Sequence, residues 1–575
     1  MSLKSDEDST PAAFARFAPA FTGIAVAVVL FFASVSRHLL PGAFNDDAVY
    51  MTLGRALSTG VGYRSIYLVG APLQVKYPPG LPALLAILWR IAKTPGHVQA
   101  LATVINIAAC GMAAGIFCWI GCVRLRMPTA LVVAFGILPF VLDPAVQYFT
   151  LVLSEPLFIL ATAAALLLYD RLCVLDATMA SSRPRMSSAV ALGAALAAAT
   201  LIRTQGVALM LAILLAMSLD RMRRRELLIA AVVAITPVLA WQAHVLLQAQ
   251  HAVLATQASE TNYITFLRGG TPGAIALREV AAIRGNAADY VSLIGTYLSG
   301  WRTAGLLASI AALLLAASGT VFLVRGQRAL SFALIANVAV LLAWPVYQDR
   351  FLLPALPLLG LVAGYAAHVL TKHVQARVHA EWPRVAVTAM VALGGLFVFV
   401  RQHEIRRDND VARREGRPPA AYSPSYWLPG NAWFVETVSR WALQSTKPDD
   451  RIAVVSPAGL WLYTGRQTVP MEIVEPRGMP SVFDASGRYL IAHLVSDSVT
   501  VVVVESPFGA TARETAAVRA ACPRALQPME GASGVTAFRA VPGDPCVIAA
   551  NKRLQAEGRV RRPMRANLAH KSLDG

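Results

Sequence analysis

The sequence PAFTGIAVAVVLFFASVSRHLLPGAFNDDAVY, residues 19–50, joins a long apolar run to two adjacent carboxylates. The run 19–40 is long enough to cross the roughly 30 Å hydrocarbon core of a bilayer. It has no clear small-residue cleavage site, so we expect a retained membrane helix rather than a cleaved signal peptide. Asp46 and Asp47 follow it closely. The stretch therefore predicts a membrane protein with a pair of acids at the membrane surface.

The composition extends this prediction to the whole chain. Of its 575 residues, 56% are hydrophobic and 15% are charged, whereas soluble domains average roughly 25% charged residues. The net charge of +18 does not indicate nucleic-acid binding, because the basic residues form short clusters between apolar runs, as cytoplasmic anchors do. The composition is typical of a polytopic α-helical membrane protein with room for a soluble domain.

We assign eleven apolar runs to membrane helices. The segment 79–93, PGLPALLAILWRIAK, is short, opens with prolines and ends in charge, so we interpret it as an interfacial or re-entrant helix. If it spans the bilayer instead, the count becomes twelve and every later loop changes side. The eleven predicted spans are 19–40, 99–123, 128–142, 152–171, 187–202, 205–219, 227–248, 303–324, 329–346, 351–371 and 385–401.

The distribution of charge orients these spans. Fourteen Lys or Arg residues fall in five short loops that share one side of the bilayer when 79–93 does not span. The loop 143–151 on the other side holds none, which agrees with the positive-inside rule. We therefore expect a bacterial inner (plasma) membrane protein with a cytoplasmic N-terminus, whose loops 41–98 and 249–302 and C-terminal region face the periplasm or the exterior.

The C-terminal region predicts a second domain. The segments DRIAVVSP, WLYTGRQTVP and SVTVVVVESP are typical of short buried strands, whereas NAWFVETVSRWALQST and ARETAAVRAACP are typical of helices. This alternation predicts a small α/β domain. We place the membrane module at 1–402, the external domain at 403–550 and a disordered basic tail at 551–575.

The six cysteines fall into two groups. Cys522 and Cys546 lie in the polar C-terminal region and can form a disulfide if that region faces an oxidising compartment. No metal-ligand spacing such as C-x-x-C or H-E-x-x-H occurs. The remaining cysteines lie in or beside apolar segments, where we expect inert thiols: Cys110, Cys118, Cys122 and Cys173.

Several charged residues fall on the predicted outward face. The acid pair opens an amphipathic helix, and the other charges stand at helix ends or in the first loop. Each has a plain structural interpretation, since acids favour helix N-termini, with Asn45 as a cap, and basic side chains extend toward lipid headgroups. Charges this close to the bilayer are nevertheless costly and usually functional. The set comprises Asp46, Asp47, Lys76, Glu155, Arg203 and Arg350.

Such a set suits transfer from a lipid-linked phosphate. A carboxylate beside the membrane can deprotonate an acceptor hydroxyl. Cations at the headgroup level can hold a phosphate and stabilise it as a leaving group. An apolar groove can hold the lipid tail. The spacing alone does not establish this chemistry.

The ordered set of motifs resembles the GT-C glycosyltransferase superfamily, in particular bacterial relatives of the protein mannosyltransferase and aminoarabinose transferase group. The resemblance covers about residues 20–510. The acid pair here is Asp-Asp where relatives often have Asp-Glu, which leaves open which carboxylate is the base. The motifs are Asp46, Asp47 and Tyr50; KYPPGLPALL at 76–85; Ser154 to Leu157; Arg203 to Gly206; Arg350 to Pro354; and an LYTGR strand at 462–466.

The resemblance implies a GT-C-like fold and an inverting transferase whose donor is a polyprenyl-phosphate monosaccharide. Asp46 would be the base by its motif position, supported by Asp47 and Glu155, and no metal or other cofactor would be required. The acceptor, which could be a glycan, a glycolipid or a protein, stays open. By the same resemblance, Lys76, Arg203 and Arg350 would bind the donor phosphate, and Tyr50, Tyr77 and Tyr263 would position the substrates.

Two other functions compete with this interpretation. A transporter or flippase of lipid-linked sugars would use the same charges for binding without reaction. Transporters often show internal repeats and broken helices near the midplane, whereas this sequence shows no repeat and places its charges at helix ends. A non-catalytic scaffold that presents the C-terminal domain would leave the acid pair unexplained.

Overall fold

The computed structural model describes most of the chain. It covers residues 9–35, 40–177, 182–248, 272–299, 302–378, 382–415, 424–471, 487–505, 510–531, 534–541 and 543–557. Two parts are evident within these ranges: a helical module up to residue 415 and a C-terminal domain from residue 424 onward.

The helical module is a bundle of long apolar helices joined by shorter ones. Irregular helical turns extend the C-terminal ends of α4 and α5, and a 3₁₀ turn at Asp349–Leu352 precedes α14. The described helices are α1 (Ser9–Val35), α2 (Asp46–Ser58), α3 (Gly80–Ala92), α4 (Pro95–Trp119), α5 (Thr129–Leu131), α6 (Asp143–Phe149), α7 (Glu155–Ala177), α8 (Ser182–Ile202), α9 (Gly206–Leu219), α10 (Arg224–Gln248), α11 (Pro272–Ser299), α12 (Arg302–Leu323), α13 (Arg328–Ala343), α14 (Leu356–Val378) and α15 (Trp382–Arg414).

Six of these helices are long and apolar enough to cross a membrane, or seven if the pair Thr129–Phe140 and Asp143–Phe149, bent by 53°, forms one span. This count applies to the described residues. In α1 only 22% of the apolar span is buried in the protein, and Phe21 and Phe32 are exposed, as expected for side chains that face lipid. The helices α3, α9 and α13 are shorter apolar helices. The total of eleven spans therefore stays a prediction.

Small residues allow close helix contacts within the bundle. A Cβ atom on Gly23 of α1 would lie 2.7 Å from the carbonyl oxygen of Gly111 of α4. On Gly360 of α14 it would lie 1.8 Å from the carbonyl oxygen of Phe135. Close backbone approach through small residues is a common way to pack helices in membranes, where apolar burial alone does not drive association.

Several segment boundaries differ from the sequence-based expectations. Residues 272–299, predicted to lie in an outward loop, form the single helix α11, which packs against α12. Residues 249–271, including Tyr263, lie outside the described residues. The helix α15 runs through residue 402, where the membrane module was predicted to end, because a helix does not have to end where its hydrophobicity does.

The C-terminal domain is α/β, as predicted. Its five-stranded sheet has the order β2-β1-β3-β5-β4, in which β1 pairs parallel with β2 and β3, and β5 pairs antiparallel with β3 and β4. Its helices are α16 (Pro424–Ser445), α17 (Pro457–Thr464), α18 (Arg488–Ser496), α19 (Ala510–Ala521) and α20 (Pro545–Ala556), and its strands are β1 (Ile452–Val454), β2 (Thr468–Pro470), β3 (Val501–Val504), β4 (Leu526–Met529) and β5 (Thr536–Ala540).

Two expectations about this domain were wrong. The motif at 462–466 is not a strand: residues 457–464 form α17, which begins with Pro457 in its first turn and ends at Gly465 in the left-handed conformation. The predicted tail from residue 551 begins inside α20, which continues to Ala556. Residues 558–575 lie outside the described residues.

The six cysteines are distributed as the sequence predicted. Cys522 and Cys546 form a disulfide with a Cα–Cα distance of 5.7 Å, which joins the end of α19 to the start of α20. The other four are free: Cys110 and Cys118 are buried, and Cys122 and Cys173 are half-buried.

The first loop fastens the C-terminal domain to the helical module. The carbonyl of Thr468 in β2 accepts a hydrogen bond of 3.3 Å from the amide of Val69, and the amide of Thr468 donates one of 2.8 Å to the carbonyl of Tyr67. The Arg55 guanidinium of α2 lies 5.3 Å from the ring of Trp89 and 5.3 Å from that of Trp461. The C-terminal end of α2 is thereby held between the bundle and the C-terminal domain.

Candidate active site

Five of the six charged residues singled out in the sequence meet at one end of the bundle. Asp46 begins α2, Glu155 begins α7, and Arg203 lies in the turn between α8 and α9. Arg350 lies in the 3₁₀ turn before α14, and Lys76 lies in the loop before α3. These five come from separate stretches of the chain, so the fold brings them together.

Asp46 is the acid of the pair that faces this cluster. Its carboxylate forms an ion pair with Arg350 and accepts a hydrogen bond of 2.7 Å from the Tyr77 hydroxyl. Burial raises the pKa of Asp46, but the neighbouring charges of Arg350 and Lys76 more than offset this, and the pKa lies below its ordinary value of 3.8. The carboxylate is therefore ionised at neutral pH.

Asp47 points elsewhere. Its carboxylate accepts hydrogen bonds from the backbone amides of Gly42, at 3.0 Å, and Ala48, at 2.8 Å. It is 1% exposed, and burial raises its pKa to about 6 despite the hydrogen bonds from Gly42 and Ala48. It holds the loop that enters α2, whereas Asn45 makes no side-chain cap to that helix. The structure thus does not bring Asp47 into the cluster.

Glu155 lies between Arg203 and Arg350 and contacts both. Its side chain is fully buried, with Oε1 2.7 Å from Arg203 Nη1 and 3.5 Å from Arg350 Nη1. Arg203 also donates a hydrogen bond of 2.9 Å to Ser154 Oγ, whose other neighbour at 3.3 Å is the Tyr50 hydroxyl. Glu155 therefore fixes the spacing of the two guanidinium groups.

Cations outnumber the carboxylates that pair with them in the cluster. It contains the three cations Lys76, Arg203 and Arg350 but only the two carboxylates Asp46 and Glu155, counted among the residues just described. Three cations gathered in one site favour an anion, and guanidinium groups bind phosphate oxygens well.

Two of the three predicted tyrosines line the cluster. The rings of Tyr50 and Tyr77 meet edge to face with centroids 5.1 Å apart. Burial raises the pKa of Tyr50 to about 12, so its hydroxyl stays protonated and can donate a hydrogen bond. Lys76 Nζ lies 4.9 Å from the centroid of the Tyr77 ring.

An apolar cavity opens beside the cations. It has a volume of about 360 Å³ and is lined at one end by Asp46, Lys76, Arg203 and Arg350. Its other walls come from α9 and α13 and their flanking residues, including Leu211, Val340 and Trp344. We call it the apolar cavity. It combines a phosphate-sized cationic end with a hydrocarbon wall.

A second cavity lies between the helical module and the C-terminal domain. It has a volume of about 520 Å³ and is lined by residues 42–46, 347–349, α16 and the ends of β1 and β3. We call it the polar cavity. Among the described residues, Asp46 alone lines both cavities, and of these two cavities the three cations line the apolar one.

Sequence reasoning missed residues that surround Arg350. Asp349 accepts a hydrogen bond from the Tyr148 hydroxyl, whose oxygen lies 2.7 and 2.8 Å from the two carboxylate oxygens. Gln348 accepts a hydrogen bond of 2.9 Å from Arg350 Nε, and the Phe44 ring centroid lies 4.5 Å from Arg350 Cζ. The stretch YQDRF at 347–351 places Gln348 and Asp349 directly before Arg350, a signal that could have identified them.

No protein-family model and no curated protein matches this chain. Among solved structures, it is similar to ArnT from Cupriavidus metallidurans. The apo form is 14% identical, covers 93% of this chain and 99% of its own, and has a TM-score of 0.53. The form bound to undecaprenyl phosphate is 14% identical, with coverages of 91% and 98% and a TM-score of 0.53.

The archaeal oligosaccharyltransferase AglB from Archaeoglobus fulgidus, in complex with an inhibitory peptide and a dolichol-phosphate, is 14% identical. Its match covers 85% of this chain and 69% of its own, with a TM-score of 0.49. The likeness to ArnT shows the fold. The chain is a polytopic helical membrane protein with a GT-C-like arrangement and a small C-terminal α/β domain, which confirms the predicted fold class.

Proposed function

We propose that this protein is a membrane glycosyltransferase that moves a monosaccharide from a polyprenyl-phosphate donor to an acceptor hydroxyl, with Asp46 as the general base. One observation carries the proposal: Asp46 stands between an apolar cavity with a cationic end and a separate polar cavity. A transferase needs a base at the meeting point of two substrates. The ArnT structure that shares this fold is bound to undecaprenyl phosphate, which supports a lipid-phosphate donor here.

In the proposed reaction the donor's lipid chain lies in the apolar cavity and its phosphate lies against Lys76, Arg203 and Arg350. The acceptor hydroxyl approaches from the polar cavity, and Asp46 takes its proton as the acceptor oxygen bonds to the anomeric carbon. The bond between that carbon and the phosphate oxygen breaks, and polyprenyl phosphate leaves, stabilised by the cations. Attack from one cavity on a donor held in the other leads to inversion.

Donor binding would also activate the base. In the free protein Asp46 is held ionised and weakly basic by its ion pair with Arg350. A donor phosphate competes with Asp46 for that guanidinium, and the carboxylate then loses part of the interaction that lowers its pKa. Asp46 therefore becomes a stronger base when the donor is in place. In the free protein its carboxylate has little tendency to take up a proton.

We place the site on the external face of the membrane. The basic loops predicted to be cytoplasmic include Arg124, Arg126, Lys372 and Arg377, which line a cavity at the C-terminal ends of α4 and α14. The cluster lies at the N-terminal end of α14, and the two positions are separated by most of the length of that helix. The positive-inside rule then directs the cluster outward.

The test is release of polyprenyl phosphate from a radiolabelled polyprenyl-phosphate sugar by purified protein. Asp46→Asn keeps the size of the side chain and removes the base, so turnover should fall by about 10²–10⁴-fold, with donor binding retained. Asp410→Asn is a matched control, because Asp410 is a surface carboxylate paired with Arg413. Sugar flux across vesicles without sugar–phosphate cleavage would favour the transporter over the transferase.

A further inference from the structure

The polar cavity has a built recognition surface of its own. Its walls include the carboxyl ends of two neighbouring parallel strands: Ser456 follows β1, and Glu505 follows β3 directly. In the order β2-β1-β3, the chain passes from β1 to β2 on one side and then crosses to β3 on the other side of β1. The strand order therefore reverses at β1 and β3, which makes this a topological switch point. Ligands of open α/β sheets bind at such a point. Here it faces Asp46.

Two polar atoms of cavity-lining residues have no hydrogen-bond partner within the described part of the chain. Asn45 Oδ1 and Trp427 Nε1 are both buried, and neither has a hydrogen-bond partner among the residues that the structure describes. One is an acceptor and the other a donor. Asn45 also has φ +67° and ψ −56°, a conformation that persists only where the surroundings hold it and that is frequent at functional sites. A ligand hydroxyl can both donate and accept, and so can satisfy such atoms.

The charge of the polar cavity selects among acceptors. Three carboxylates line it, Asp46, Asp349 and Glu505, and its described lining contains no Lys or Arg. An acceptor with phosphate or carboxylate groups would meet like charge from these side chains, and no cation in the described lining could bind it. The remaining lining supplies aromatic rings, such as Trp427 and Tyr347, and amides, a combination that suits a polyhydroxylated ring with one apolar face.

We propose that the polar cavity binds the acceptor as a carbohydrate without acidic groups, neutral or amine-bearing, with Trp427 and Glu505 as its recognition residues. The proposal rests on the transferase function and narrows its acceptor from a glycan, glycolipid or protein to a sugar hydroxyl. The sugar ring packs on the aromatic side chains, and its hydroxyls pair with Asn45 Oδ1 and Trp427 Nε1. Asp46 removes the proton from the hydroxyl that points toward the apolar cavity.

The test compares acceptors by the rate of polyprenyl-phosphate release above the rate with water alone. The panel contains a neutral oligosaccharide, an amino-sugar oligosaccharide, a phosphorylated oligosaccharide and a Ser/Thr peptide, each offered to full-length protein in lipid nanodiscs. The neutral or amino sugar should accelerate release, and the phosphorylated sugar and the peptide should not. Acceleration by the peptide alone overturns the carbohydrate assignment but leaves the transferase standing. No release with any acceptor or with water overturns the transferase itself.

The variant Trp427→Phe keeps an aromatic ring beside Phe44, whose centroid lies 5.7 Å away, and removes the indole N–H. The KM for the accepted sugar should rise about tenfold, the loss expected for one hydrogen bond, with a smaller change in kcat. Trp433→Phe on the same helix is the control, since Trp433 is 51% exposed and lies outside the cavity lining. Equal KM values for the two variants contradict the assigned role of Trp427.

A separate basic cavity lies at the other end of the bundle. It has a volume of about 690 Å³ and is lined by Arg124, Arg126, Lys372, His373 and Arg377, with no Asp or Glu in its described lining. Arg124 forms an ion pair with Asp170, which lies outside the cavity lining. The three other strong bases have no ion-pair partner among the described residues.

The apolar edge of this basic cavity indicates its ligand. Phe322, which is 43% exposed, and Leu323 line it beside the cations. Basic pockets between membrane helices bind anionic lipid headgroups. Independently of the transfer reaction, we infer that the basic cavity binds the phosphodiester headgroup of an anionic phospholipid, with an acyl chain against Phe322.

Thermal unfolding in nanodiscs tests this assignment. Phosphatidylglycerol should raise the melting temperature relative to phosphatidylcholine by about 2–4 °C, and the double variant Lys372→Gln/Arg377→Gln should abolish the rise. Lys447→Gln in the exposed turn after α16 is the control and should keep it. An equal rise with inorganic phosphate in phosphatidylcholine would assign the cavity to a soluble anion, and a rise that survives the double variant would overturn the assignment.

Discussion

Replacing Arg350 with Gln tests the link between the phosphate-binding cations and the base. The Arg350 side chain is 4% exposed, pairs with Asp46 and lies 3.5 Å from Glu155. Removing one partner of a buried ion pair costs about 3–5 kcal/mol, because the other charge is left buried. Here two carboxylates lose the same partner, so we expect a clear loss of stability together with a change in how Asp46 titrates.

The direction of that titration change follows from the surroundings of Asp46. Burial raises its pKa, and Arg350 and Lys76 together hold it below 3.8. Its stabilising contribution is therefore present above pH 3.8 and is lost as the pH falls through the lower pKa of the folded state. In Arg350→Gln, burial is opposed by Lys76 and the Tyr77 hydroxyl alone, so the pKa of Asp46 rises. Since a base must be ionised, the acidic limb of kcat/KM, which reports the free enzyme, moves to higher pH.

The assay measures polyprenyl-phosphate release from pH 4 to pH 9. For Arg350→Gln we expect a fall in kcat of about 10²–10³, the usual effect of removing one group that stabilises a developing anion. Arg350→Lys keeps the charge, so its acidic limb should stay in place even if turnover falls, and it remains informative if the Gln variant does not fold. Arg440→Gln, which removes an exposed pair with Glu436, is the control. An unchanged acidic limb in a folded Arg350→Gln protein would refute the coupling between Arg350 and Asp46.

Three further predictions concern stability and topology. Burial raises the pKa of Asp47 to about 6 from its ordinary value of 3.8. Its contribution to stability is therefore full below pH 3.8 and is lost as the pH rises through about 6. Between pH 5 and pH 7 the melting temperature of the wild type should fall by more than that of Asp47→Asn. Cys522 and Cys546 should yield two additional alkylatable thiols after denaturing reduction, and an unchanged thiol count would exclude the disulfide. A reporter that is active only in the periplasm, fused after residue 415 at the end of α15, should be active, and activity of a cytoplasm-only reporter there would invert the topology.

Local sequence signals predicted the elements that depend on local physics. The run 19–40 and the start of α2 at the acid pair follow from hydrophobic length and from the preference of acids for helix N-termini. The motif at 462–466 was assigned to a strand because its aromatic and apolar residues suit both states. Pro457 and Gly465 at the two ends of α17 were the stronger signal for a helix.

The cavities could not be predicted because their walls come from distant parts of the chain. The polar cavity joins residues 42–46 to Trp427 and to Glu505, and no periodicity in any one segment indicates that contact. The role of Asp47 could not be predicted for a similar reason, since it depends on the path of the preceding loop. Its partner, the amide of Gly42, is fixed by the path of a loop whose glycine has φ +101°. A sequence pattern shows that two acids are adjacent but not which one turns toward the cations.

The choice between the two acids depends on geometry before acidity. Asp47, with a pKa of about 6, is better matched to proton transfer near neutral pH than Asp46, and by acidity alone it would be the base. However, successive side chains on a helix point about 100° apart. As a result, Asp46 lines the cavities, whereas Asp47 is buried against the loop that precedes α2. Asp47 lines neither cavity and is 1% exposed, so no acceptor hydroxyl can reach it without displacing the amide of Gly42. Asp46 reaches both cavities, and its low basicity is a property of the free state, in which Arg350 still binds it instead of a donor phosphate.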